Sequence, residues 1–448
     1  MLSYDRPSVA GPKWFGHPAG LFLLAGVELW ERFSFYGMRA LLVLYMVTDL
    51  LPRHHNEIFG LSIFCSLVGL HPDVGDFSSL VSCLYGLYSG FVYFTPLLGG
   101  FLADKWFGKT ALIISGGILL VIGHLILATP ALFLIALMLI VLGTGGIKGN
   151  IAAQIGSLYE AHDNQREQGF SLFYVGINIG ATAAPIVCGL LAQYFGWNVA
   201  FAATSVGMIF GLLLYIAGSF RLLPQEILKE ALPTVSPDKR RSSYRVWPFL
   251  CLLVSCVLIW ISYEQQANAL MRWLVSSGSQ QVSSVWIQAV PPIVVLLGTP
   301  CVMYLWSLCR RKNMEPGPVW KMVVGAAVLA GAQAALLCIA SFSGQKPPSL
   351  MLVVAYMAMW EIGDLLFSPA AMGVFSRIGQ QGRNAVSMAL WYLTYFAANI
   401  LSGAIGGWWG YMSPALYWCF IFATTLVGFL GILLYSSLHA RPKSCSAV

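Results

Sequence analysis

The chain has 448 residues, of which 58% are hydrophobic, 13% aromatic and only 10% charged. So little charge over such a length excludes an ordinary soluble protein and leaves a polytopic membrane protein. Its net charge of +7, from 25 basic against 18 acidic side chains, would suggest a nucleic-acid partner in a soluble domain; here the sign is read loop by loop, as a determinant of orientation.

Taken in order, polar residues 1–18 lead into a first apolar run at 20–50. That run is too long for the h-region of a signal peptide and lacks a small-residue cleavage site, so it is expected to be retained as span 1. Residues 51–78 form a long outer loop carrying His54, His55, Glu57, Asp73 and Asp76. Within it, 58–70 is apolar but too short to cross a hydrocarbon core of about 30 Å, which predicts an interfacial or loop-packed helix. Further spans are predicted at 79–103, 110–128, 131–155, 168–193 and 199–219. Composition then shifts: the stretch to Arg245 holds Lys229, Lys239, Arg240, Arg241 and three prolines. Beyond it the plan repeats, with spans at 246–275, 283–308, 318–342, 350–376, 384–409 and 413–438. The expected organisation is a six-helix bundle over 1–219, a basic linker at 220–245 and a second six-helix bundle over 246–448, twelve spans in all.

Assigning loops alternately puts nineteen Lys or Arg on the side holding both termini and two, Arg53 and Lys346, on the other; Arg32, Arg39, Lys148 and Arg272 fall inside spans. That bias places both termini in the cytoplasm. Two six-span halves joined by a basic cytoplasmic linker match the plan of secondary transporters, whose substrate site lies near the midplane. Ten cysteines bring no framework, since no CxxC occurs and most lie in spans. Cys65 and Cys83 are the one pair that an oxidising exterior could join. With no Walker A sequence, no GxGxxG in a strand context and no HExxH, an energy source other than ATP is implied, and neither a cofactor, a metal nor a catalytic residue is expected.

What chemistry remains lies in the charged residues within spans, where an ionisable group costs about 2.5 to 3.5 kcal/mol on insertion scales and must find a partner. In ELWERFSFYGMR, Glu28 and Arg32 are i,i+4 neighbours, and Arg39 returns to within about 20° of Glu28, roughly 16 Å further along the axis. Lys148 sits in GTGGIKGN, whose glycines permit close helix approach and whose ammonium needs Glu28 or Glu31. Asn178 in FYVGINIG could meet an amide, or simply bridge helices. In the second half Glu264 and Arg272 share one span, and Glu361 and Asp364 another. The first half is thus cationic within the membrane and the second acidic, which suits a zwitterion held between Arg39 and Lys148 on one wall and Glu361 on the other. Tyr36, Tyr93, Trp360 and Trp391 could line such a site. The alternative is that every charge is paired internally and only locks helices.

ELWERFSFYGMRALLVLYM resembles the ExxERFxYYG signature of the proton-dependent oligopeptide transporter family within the major facilitator superfamily. GGFLADKWFGK is similar to the superfamily's turn between spans 2 and 3, with Asp104 as its conformationally important acid. GTGGIKGN with FSLFYVGINIGA, YEQQAN and EIGDLLFSP are similar to the family's segments in spans 4, 5, 7 and 10. The resemblance implies the major facilitator fold and a proton-coupled symporter importing di- and tripeptides by alternating access across the cell (inner) membrane. It implies proton coupling by Glu28, Glu31, Arg32, Lys148 and Glu264, and peptide contacts from Arg39, Tyr36, Tyr93, Lys148, Asn178 and Glu361. Partners would be peptides, protons and lipid, with no nucleic acid, and the chain would act as a monomer. Phe35 departs from the signature's first tyrosine and Gly149 from its proline; the linker is short and loop 51–78 long. A facilitator-fold carrier of another small anion, nitrate or a conjugated acid, would keep Arg39 and Lys148 but have no obvious use for Glu361.

Overall fold

The computed structural model describes residues 12–70, 77–159, 165–223, 246–275, 285–344, 346–379 and 384–440; the linker beyond Leu223 and loop residues 71–76, with Asp73 and Asp76, lie outside it. A two-stranded antiparallel hairpin, β1 (Lys13–Trp14) and β2 (His17–Pro18), precedes the helices. Its turn uses Phe15 and Gly16, both at positive φ, as a tight turn matched to the strand twist requires. The first helices are α1 (Ala19–Tyr45), α2 (Leu51–His54), α3 (Leu61–Val68), α4 (Ser78–Leu102), α5 (Lys109–Ile126), α6 (Phe133–Ser157), α7 (Gln165–Phe195) and α8 (Trp197–Leu222). There follow α9 (Val246–Ala267), α10 (Ala269–Val275), α11 (Val290–Arg311), α12 (Pro318–Ser343), α13 (Leu350–Gly379), α14 (Asn384–Gly406) and α15 (Pro414–Ala440).

Ten of the twelve apolar runs form a single helix within a few residues of the expected bounds, the run at 246–275 forms two, and that at 283–308 opens with a 3-10 turn, Val285–Ala289, before its α-helix starts at Val290. Among the described residues eleven helical segments are long and apolar enough to cross a membrane, and the remaining run forms α14, of 23 residues. The apolar stretch at 58–70 forms α3, with Leu61 and Cys65 buried and Ile63 and Leu67 exposed. Cys65 and Cys83 are free thiols. Three local features escape the hydropathy pattern. The span expected at 246–275 breaks at Asn268, between α9 and α10, and single π-helical turns at Met46–Leu50 and Ala103–Phe107 extend α1 and α4.

The chain forms two compact units. The first comprises Met1–Leu41, Asn56–Leu61 and Phe94–Pro233; the second comprises Leu42–His55, Ser62–Tyr93 and Thr234–Val448. Glycine sets the packing in the first. Lipid tails are as apolar as leucine, so helices associate here by close contact rather than by escape from water. A Cβ at Gly99 of α4 would overlap the Gly145 carbonyl of α6, and one at Gly145 would stand 2.8 Å from Thr95 Cβ. Thr95 Oγ1 also donates to the Val141 carbonyl across this crossing, at 2.9 Å. On the other side of α6, Gly143 meets Gly116 of α5. Helix α1 is seated in the same way, with Gly37 against Cys188 and Ala184 of α7, Gly180 of α7 against the Leu29 carbonyl, and Gly207 of α8 against Phe33.

In the second unit, Ser78–Tyr93 of α4 packs on α14, where a Cβ at Gly86 would stand 2.5 Å from Gly403 Cα and 2.7 Å from the Asn399 carbonyl. Gly325 of α12 lies equally close to the Phe367 backbone of α13.

Gly145→Leu is therefore expected to disrupt the α4–α6 crossing. The overpacking would cost about 1–3 kcal/mol or more, read as a lower melting temperature in detergent and a smaller monodisperse fraction on gel filtration, with Gly100→Leu, at a position with open space for a side chain, as the tolerated control.

Candidate functional site

In the first unit, one face of α1 gathers the charges the sequence singles out. Glu28, Glu31, Arg32 and Arg39 are all buried. Arg32 Nε lies 3.0 Å from Glu28 Oε1 and 2.5 Å from Glu31 Oε2, so one guanidinium serves two carboxylates. These are ion pairs by distance only: Arg32 Nε and Nη2, Glu28 Oε2 and both Glu31 oxygens have no aligned hydrogen-bond partner. Charge is matched while hydrogen-bonding capacity is left over, which makes the cluster costly for a buried pair and receptive to rearrangement.

Lys148 of α6 lies within electrostatic reach of Arg32, Glu31, Glu28 and Arg39. It is brought there by the glycine crossings of α6, so the GTGGIKGN segment acts through its glycines and its lysine together. Phe35 is buried one turn beyond Arg32, with the Arg32 Cζ 5.3 Å from its ring centroid, and it meets Tyr36 edge-on at 5.2 Å. A phenyl face in place of the signature's tyrosine thus gives Arg32 a cation–π neighbour. Asn178 donates to the Tyr174 carbonyl of its own helix at 2.9 Å rather than bridging to another helix.

Asp104 lies in the π-helical turn Ala103–Phe107, closed by Gly108, whose N–H donates to the Ala103 carbonyl at 3.0 Å. The φ of +75° at Gly108 is one that side chains beyond glycine seldom adopt. Lys109, buried at the start of α5, acts electrostatically on Asp104.

The second unit holds the remaining predicted residues. Glu264 is fully buried in α9 and accepts a 3.4 Å bond from the Tyr85 hydroxyl of α4. It belongs to a polar seam that the sequence reading recognised only in part. Ser82 donates to Asn268 Oδ1 at 3.3 Å, and Gln265 Nε2 donates to the Ser402 carbonyl and hydroxyl at 2.9 and 2.8 Å. Arg272 Nη1 and Nη2 donate to the carbonyls of Ser78 and Gly406 at 3.1 and 2.6 Å. The signal was the polar run Glu264–Asn268 in an otherwise apolar span; its partners Ser82, Ser402 and Gly406 carry none. Glu361, buried, and Asp364, half-buried, stand on α13 beside an aromatic cluster, in which Tyr93 stacks on Tyr395 at 5.0 Å and Tyr395 on Trp260 at 4.4 Å.

Among the described residues no group of three or more His, Cys, Asp or Glu side chains is placed to hold a metal ion. Helices long and apolar enough to cross a membrane, with buried charges in each unit, make a multi-pass membrane protein with the major facilitator fold. A sequence profile of the POT family matches residues 110–237 and 235–413, and the chain belongs to that family. It is 28% identical to an uncharacterized transporter, YclF, of Bacillus subtilis (strain 168), over 93% of this chain and 94% of that one. It is 26% identical to a di-/tripeptide transporter of Lactococcus lactis subsp. cremoris, over 88% and 90%. Among solved structures it is similar to a POT family transporter in complex with 5-aminolevulinic acid, with a TM-score of 0.82 at 23% identity over 97% of this chain and 99% of that one. It is also similar to a peptide transporter POT in complex with sulfate, with a TM-score of 0.82 at 24% identity over 97% of each chain.

Arg272→Gln would take the guanidinium from the Ser78 carbonyl, which keeps the Ser82 hydroxyl, and from the Gly406 carbonyl, and each charged hydrogen bond lost is worth about 1.5–3 kcal/mol. A lower melting temperature with faster amide exchange near the start of α4 and the end of α14 is expected, whereas an unchanged exchange pattern would show that the seam does not hold these ends.

Proposed function

We propose that this protein is a proton-coupled symporter that imports di- and tripeptides by alternating access across the cell membrane, with both termini cytoplasmic. Protons are the coupling ion, no other cofactor takes part, and a single chain suffices. The observation that carries the reading is Arg32 held by two buried carboxylates with unspent hydrogen-bonding capacity, in a chain similar along most of its length to a di-/tripeptide transporter. The complex of a related transporter with 5-aminolevulinic acid is in keeping with a small zwitterion as ligand.

Arg39 and Lys148 attract the peptide carboxylate, Tyr36, Tyr93 and Asn178 contact the peptide, and Glu361 receives its amino terminus. Protonation of Glu28 or Glu31 removes one of the two negative charges that Arg32 and Lys148 compensate. A cation is thereby released for the substrate carboxylate, and the charge balance that favours one conformation is altered. Glu264, bonded to Tyr85 within its own seam, is the acid of the second unit suited to proton transfer or gating. The Asp104 turn acts in the conformational change.

Each charge moved through 100 mV yields about 2.3 kcal/mol, and one pH unit adds about 1.4 kcal/mol per proton. At that potential and pH difference one proton therefore sustains a peptide gradient of about five-hundred-fold, and two protons about 10^5-fold.

In proteoliposomes, an inward proton gradient is expected to drive accumulation of a labelled dipeptide; equal accumulation with and without the gradient would refute coupling. Glu28→Gln should abolish accumulation while peptide exchange persists, and concentrative uptake by that variant would remove Glu28 from the coupling step. Glu361→Gln should weaken free-amino dipeptides more than their N-acylated forms, and an equal loss for both would withdraw Glu361 from the amino-terminal contact.

A further inference from the structure

The second unit buries more acid than one peptide ammonium would neutralise. Glu361 is only 6% exposed, and its Oε2 has no hydrogen-bond partner. Asp364, one turn further along α13, bonds to the Ser368 hydroxyl, and the two carboxyls act on each other electrostatically. Among the described residues neither has a cationic partner. Arg272, the buried cation of this unit, has its Nη1 and Nη2 bonded to the Ser78 and Gly406 carbonyls.

Around the acid pair stand aromatic faces. Trp260 stacks on Tyr395, Tyr263 lies 5.0 Å from Trp360, and Trp260 lies 6.3 Å from Trp360. The Tyr395 hydroxyl bonds to Ser368 and lies in the field of Asp364, which ties the cage to the acid pair. The Nε1 atoms of Trp260 and Trp360 have no partner. One buried and one half-buried carboxyl group beside stacked indole and phenol faces form an environment for positive charge, since carboxylate and ring quadrupole both favour an ammonium.

We propose that Glu361 and Asp364, with Trp260, Tyr263, Trp360 and Tyr395, form a site for two positive charges, so that the preferred peptides carry a second ammonium on the amino-terminal side chain, as a lysyl or ornithyl dipeptide does. This rests on the peptide-transport reading and names the substrate class within it. A neutral dipeptide leaves one of the two carboxyl groups without a cation; a dicationic one satisfies both. An acidic amino-terminal residue adds a third negative charge and is disfavoured.

The test is competition against uptake of labelled alanyl-alanine in proteoliposomes, with lysyl-alanine compared with norleucyl-alanine, which matches its chain length without the charge. Wild-type protein is expected to favour lysyl-alanine by about tenfold, the effect of one ammonium–carboxylate contact of about 1.4 kcal/mol. Glu361→Gln and Asp364→Asn should each bring the lysyl to norleucyl ratio close to one. If a variant fails to fold, the wild-type comparison alone decides. Equal competition by the two peptides overturns the two-charge site and leaves peptide transport standing, whereas no competition by any dipeptide removes both.

Discussion

Arg32 stands between two carboxylates in a position where all three ions are buried, and the first unit is arranged to make that tolerable. An unpaired ion there would be prohibitive, so α1 cannot shift relative to its neighbours without breaking the balance among Glu28, Glu31, Arg32 and Lys148. The glycines on α1, α7 and α8 hold it in place by admitting backbone to within van der Waals contact. Charge therefore decides what α1 must be surrounded by, and glycine decides how closely. The cluster is paired in charge but incompletely hydrogen-bonded.

The second unit meets the same constraint by a different means. Arg272 donates hydrogen bonds to backbone carbonyls at two helix ends, Glu264 is bonded to a tyrosine hydroxyl, and Gln265 and Asn268 fill a seam between helices. That seam is nearly all backbone and amide, so it joins α4, α9, α10 and α14 mechanically. Glu361 and Asp364 are the exception, acids placed beside aromatic rings without a cation. The first unit thus holds acids paired with a cation, and the second holds an acid pair with no cationic partner among the described residues.

The sequence was most legible where the physics is one-dimensional. Apolar runs of 20–30 residues located the long helices, most of them to within a few residues, because a bilayer fixes the length a helix must have. The i,i+4 spacing of Glu28 and Arg32 announced their ion pair, and the need to compensate Lys148 pointed to the same acids. Less legible were features set by local backbone chemistry: the break at Asn268, the π-helical turns after α1 and α4, and the Lys13–Pro18 hairpin, all of which leave the hydropathy pattern undisturbed.

The sequence alone determined that this chain crosses a membrane many times, that charges lie buried on α1, α6, α9 and α13, and that they are cationic in the first half and acidic in the second. Those properties follow from composition and helical spacing, which depend only on near neighbours in the chain. Tertiary structure decided which of the buried charges meet. It placed Glu31 as well as Glu28 on Arg32, gave Arg32 the ring of Phe35, turned the Asn178 amide back to its own helix, and gave Arg272 two carbonyls far apart in sequence. The reason is that such partners are chosen by helix crossings, and the close crossings are set by where glycines on separate helices coincide, as Gly99 with Gly145 and Gly86 with Gly403. No spacing along a single helix encodes that coincidence.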